Sequence, residues 1–107
     1  MHLQNLLDEG KLRRHRTSAK EIAELLQVAD RDLADAAFAR ISPDTRYVTA
    51  YSAALALAAI VLHAHSYRAV GFAHRSTTIQ TLPVILGPEA QTRADYLDNC
   101  RTREEHR

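Results

Sequence analysis

Twelve arginines and six histidines are the residues of this chain best suited to chemistry near neutral pH. An imidazole can take up or release a proton in that range. A guanidinium can hold a phosphate through two parallel hydrogen bonds. Two Arg-then-His spacings bring these types together: Arg68 precedes His74 with five residues between them, and Arg101 precedes His106 with four between them. Arg75 follows His74 directly, so Arg68, His74 and Arg75 gather in one short segment that has no acidic neighbour in sequence and has Gly71 to bend it. If a helix starts just after this segment, its free N–H groups would complete an anion-binding corner. The plainer reading has Arg68 neutralising the C-terminal end of the preceding helix and His74 capping the turn.

Other candidates are weaker. His63 and His65 stand two apart, which on a helix points them in different directions, whereas helical zinc pairs use a spacing of three or four. No carboxylate lies between Thr45 and Pro88 to join them, so structural or loop-facing histidines are expected, with no metal and no cofactor. The basic run Lys11 to Arg16 could grip a phosphate backbone, but it lacks aromatic side chains for base stacking and reads as a solvated linker. Cys100 is the only cysteine. That excludes an intrachain disulfide framework and a cysteine-based zinc site, and a half-buried thiol is expected. Gly-rich phosphate loops and Ser-centred nucleophile motifs are absent.

The elements that must position these residues are helical. Eighteen alanines and thirteen leucines stand against three glycines and three prolines, with no alternating stretch that would suit a half-buried strand. A short helix is predicted over Leu3–Asp8, stopped by Gly10. Ser18 and Glu21 form a reciprocal capping box for a second helix. There Ile22, Leu25, Leu26, Ala29, Leu33 and Ala36 make the inner face, and Asp30, Asp32 and Asp35 look toward water. A third helix opens at Ser42-Pro43-Asp44 and runs to about Tyr67. It is uncharged from Val48 to Leu62 and apolar all round, as expected of a helix buried on most sides. A membrane span is the poorer reading, because the stretch is short and carries Thr49, Tyr51 and Ser52. Arg68–Ser76 is expected as a loop. A fourth helix over about Thr77–Leu86 must kink or restart at Pro83, and a fifth begins at Pro88-Glu89.

The 107 residues amount to one domain, and a net charge of +1 excludes a binder that works by a global basic or acidic field. The N-terminus carries no signal pattern, so the chain reads as cytoplasmic. One stretch, SPDTRYVTAYSAALALAAIVLHAHSYRAVGFAHRSTTIQTLPVILG followed by ADYLDNCRTR, resembles bacterial HEPN-superfamily helical domains, over about residues 18–107. The matching features are the Ser-Pro-Asp start, Tyr51, Ala53-Ala54-Leu55, Tyr67-Arg68, His74-Arg75, Thr77, the Leu82-Pro83 kink, Asp95-Tyr96 and Cys100-Arg101. The resemblance implies an all-α, single-domain bundle of four to five helices, commonly homodimeric, often encoded beside a nucleotidyltransferase or antitoxin partner. It also implies metal-independent RNA cleavage by an Arg and a His with four to six residues between them. Arg101 and His106 match that pair, with Arg68, His74 and Arg75 as a second RNA-binding surface. Such chains continue into further helices where this one stops at Arg107. A second copy is therefore expected over the face left open, and a noncatalytic module that docks a protein partner is the alternative to a ribonuclease.

Overall fold

In a computed structural model, residues 2–38 and 40–105 are described. The elements are α1 (Leu3–Asp8), β1 (Leu12–Arg14), α2 (Ala19–Ala37), α3 (Pro43–Ala64), β2 (Tyr67–Ala69), α4 (His74–Gln80), α5 (Leu82–Leu86), a 3₁₀ turn (Pro88–Ala90) and α6 (Gln91–Glu105). The chain is an all-α bundle with one small two-stranded sheet. The most extensive packing is between α2 and α3, which the short Phe38–Ser42 connection forces to run antiparallel. Ser18 and Ser42 cap the two helices, accepting hydrogen bonds from the backbone N–H of Glu21 (3.1 Å) and Thr45 (3.3 Å). Pro43 sits in the first turn of α3, where its missing N–H costs nothing.

Two expectations about these helices are corrected. First, α2 is rolled away from its apolar stripe. Asp32 is buried while Leu26 and Leu33 are 43% and 49% exposed. Burial is tolerated because Ser52 Oγ donates to Asp32 Oδ2 at 2.8 Å, so the carboxylate is not left without a partner. Second, α3 is not enclosed on most sides. Only Tyr51, Ala53, Ala56, Ala58 and Leu62 are fully buried, and Leu57 on the same helix is 42% exposed. By length and composition α3 could cross a membrane; in this fold it lies along α2.

The two strands went unforeseen. The basic run at Lys11 is no linker: β1 pairs antiparallel with β2, Leu12 opposite Ala69, Arg13 opposite Arg68 and Arg14 opposite Tyr67. The third helix therefore ends at Ala64 instead of Tyr67, and Ser66, at φ 70°, turns the chain into β2. Leu6 of α1, Leu12 of β1 and Leu62 of α3 form a buried cluster, with Leu3, Leu7, Tyr67, Ala69 and Ile85 packed around it. Gly10, at φ 76°, ends α1 as expected, whereas Gly71 follows a strand and not a helix. The fourth predicted helix divides at Thr81 into α4 and α5, a restart imposed by Pro83. The Thr81 hydroxyl donates to the Thr78 carbonyl at 2.7 Å, which satisfies a side chain that is fully buried at the break.

Candidate functional site

The sequence placed chemistry at two positions, and the fold brings parts of both to one cleft. The start of α4 and the last turns of α6 enclose a space of about 570 Å³ lined by Phe72, Ala73, His74, Arg75, Ser76, Arg101 and Glu105. Phe72 projects fully into solvent at its edge. Arg75 is exposed and makes no ion pair among the described residues. His74 Nδ1 donates to the Gly71 carbonyl at 3.1 Å, so its ring closes the turn, as the plainer reading had it. Arg68 is not part of this cleft. Its neighbours Tyr67 and Ala69 are half-buried, and Arg68 faces outward beside Arg13.

Arg101 lines the cleft but is already occupied. Its Nε donates to Asp98 at 2.8 Å and its Nη1 to Glu105 at 2.6 Å. The Asp98 hydrogen bond is the main reason its pKa is raised above the ordinary guanidinium value. Arg101 thus holds Glu105 at the rim and has little left for a ligand. His106, its expected partner, lies outside the described residues.

Sequence reasoning missed Tyr51. This side chain is 8% exposed, and its hydroxyl has no hydrogen-bond partner among the described residues. Burial pushes the phenol pKa up, with the Arg75 charge opposing. Tyr51 and Arg75 line a second small cavity together with Ser52, Leu55 and Glu104. An orphaned buried hydroxyl beside an arginine is a costly arrangement without a ligand. Besides its place in the HEPN resemblance, its sequence signal was an aromatic ring in the otherwise small and aliphatic stretch from Val48 to Leu62.

A second cluster overturns the expectation that His63 has no carboxylate near it. The Asp32–Ser52 bond fixes the antiparallel register of α2 and α3. Moving eleven residues, about three turns, toward the N-terminus of α2 and the C-terminus of α3 brings Glu21 opposite His63. His63 Nδ1 lies 2.8 Å from Glu21 Oε1. His15, just past β1, reaches the same carboxylate, with Nε2 at 2.7 Å from Oε1 and 2.9 Å from Oε2. Glu21 therefore does not complete the reciprocal capping box; Ser18 caps α2 alone. The His15 hydrogen bond is the largest influence lowering the Glu21 pKa, while burial lowers that of His63. His65 stands apart, donating from Nδ1 to the Val61 carbonyl at 2.9 Å.

No protein-family model, curated protein or solved structure matches this chain.

Proposed function

We propose that the protein is a HEPN-like, cytoplasmic RNA-binding domain of a toxin–antitoxin or defence system. In this reading a phosphodiester is held on Arg75 and a base lies against Phe72. The observation that carries it is the buried, unpartnered Tyr51 hydroxyl beside Arg75, which a phosphate oxygen or ribose hydroxyl would satisfy. An exposed aromatic ring next to an unpaired arginine suits a single strand, since stacking tolerates any base. The commitment of Arg101 to two carboxylates supports binding over cleavage by the Arg101–His106 pair.

Arg75→Ala is expected to weaken binding of a short labelled single-stranded RNA about 10- to 100-fold, the worth of one charge-assisted phosphate contact. The melting temperature should hardly move, because the side chain is exposed. Unchanged RNA affinity together with a lowered melting temperature would defeat this reading. Incubating the same RNA without metal with wild type, Arg101→Ala and His106→Ala separates the two activities. Cleavage by wild type that both substitutions abolish would restore the nuclease assignment.

A second reading, docking of a protein, rests on an apolar groove of about 580 Å³ between α3, α5 and α6. Tyr47, Ala54, Leu82, Leu86 and Leu97 line it. The occupant proposed is a second copy of the chain, because α3 contributes small alanines, Ala50 and Ala54, that let a symmetry-related helix approach closely. Sedimentation at tens of micromolar should give a dimer for wild type and a monomer for Leu86→Glu, a substitution at a half-exposed rim position. A concentration-independent monomer mass for wild type counts against it.

A further inference from the structure

We propose that His15, Glu21 and His63 form a site for one divalent transition-metal ion, with zinc the best fit. The three side chains come from the segment after β1, the first turn of α2 and the last turn of α3. Each offers one ligand atom, and all three atoms lie within 4.8 Å of one another. Bonds of about 2.1 Å in a tetrahedron separate ligand atoms by roughly 3.4 Å. An ion at the centre would therefore push the Glu21 oxygen back from the two nitrogens by somewhat more than half an ångström, starting from 2.7 and 2.8 Å.

Two details favour a metal over a hydrogen-bonded triad. Both nitrogens converge on the same oxygen, Glu21 Oε1, and His15 also reaches Oε2. His63 Nδ1 is buried and 2.8 Å from that oxygen, yet it meets no partner in full hydrogen-bond geometry among the described residues. A buried ring nitrogen without a directed partner is available as a ligand to a Lewis acid. The donor set of two imidazoles and one carboxylate suits zinc and its neighbours in the first transition row, and does not suit calcium or magnesium, which want oxygen. Backbone placement is fixed independently of the ion: Ser18 caps the turn bearing Glu21, and His15 N–H is tied to the Ser66 carbonyl at 2.8 Å.

Three protein ligands leave a fourth coordination position. His63 also lines a cavity of about 300 Å³ with Ser52, Thr78, His74 and Arg75. The remaining position would therefore take water or a small anion, and the ion would clip the N-terminal segment to the α2–α3 pair.

The test uses the untagged full chain, stripped with a chelator and titrated with Co²⁺ and then Zn²⁺. One equivalent of Co²⁺ should give the intense visible bands of a four-coordinate site, and one equivalent of Zn²⁺ should bleach them. Glu21→Gln is expected to weaken Zn²⁺ binding at least tenfold in calorimetry, and His65→Ala to leave it unchanged. Circular dichroism shows whether each variant is folded. Should Glu21→Gln not fold, the wild-type cobalt spectrum still decides the matter. No visible bands at one equivalent, or a folded Glu21→Gln that binds Zn²⁺ like wild type, would overturn the proposal and leave a hydrogen-bonded triad.

Discussion

Leu62→Ala is expected to lower the unfolding free energy by about 2–5 kcal/mol, the range for emptying a well-packed leucine site. Leu62 is 1% exposed and touches Leu6 and Leu12, which are buried as completely. These residues come from three separate elements, so none can shift to fill the space without moving its neighbours. Leu57→Ala on the same helix is the control. Its side chain is 42% exposed, and substitution there should cost no more than about 0.5 kcal/mol. Urea unfolding with an unchanged slope measures both. Similar losses for the two would mean that the cluster does not hold the N-terminal segment in place.

Ser52→Ala should cost about 1–3 kcal/mol although it removes a single oxygen atom. The reason lies in what remains: the Asp32 carboxyl group stays 6% exposed and loses the donor that reached it at 2.8 Å. Its other contact, with Arg31, is a long 3.4 Å from an exposed guanidinium. Asp32→Leu combined with Ser52→Ala should recover most of the loss, because two apolar groups of similar volume leave nothing unsatisfied. If the double variant is no more stable than Ser52→Ala, the bond is not what makes Asp32 tolerable. Chemical denaturation of the four proteins closes the cycle.

The sequence announced the helices because their ends carry strong local chemistry: Ser18, Ser42-Pro43 and Pro88 at starts, Gly10 and Gly87 after ends. The strands were hidden. Leu12–Arg14 and Tyr67–Ala69 are three residues each, too short to display a period of two. The roll of α2 was also invisible, since a hydrophobic stripe with an aspartate at its edge argues for the face without Asp32. Only Ser52, twenty residues away, reverses that preference. The cationic character of the Arg68–Arg75 segment was legible, but which arginine faces the cleft depended on the pairing of β2. Glu21 was read for its effect on its own helix, and local spacing rules do not reach across a hairpin. A partial signal did exist: the short connection between α2 and α3 makes the pair antiparallel and brings the start of α2 near the end of α3, but the pairing of Glu21 with His63 follows only once Asp32 is known to meet Ser52.

The register that joins Arg13 to Arg68 places the whole α2–α3 hairpin inside the loop that the β1–β2 ribbon closes. Contacts within the hairpin join residues close in sequence and can form early, whereas closure of the ribbon must wait until both its strands are brought together. The N-terminal segment is then expected to be the last part to dock and the first to leave. Its departure is a sub-global opening that exposes Leu62 while leaving the hairpin folded. His15 travels with that segment, whereas Glu21 and His63 stay on the hairpin. Assembly of the three-residue cluster is therefore thermodynamically coupled to docking of the arm, and an ion bound there would slow the arm's release.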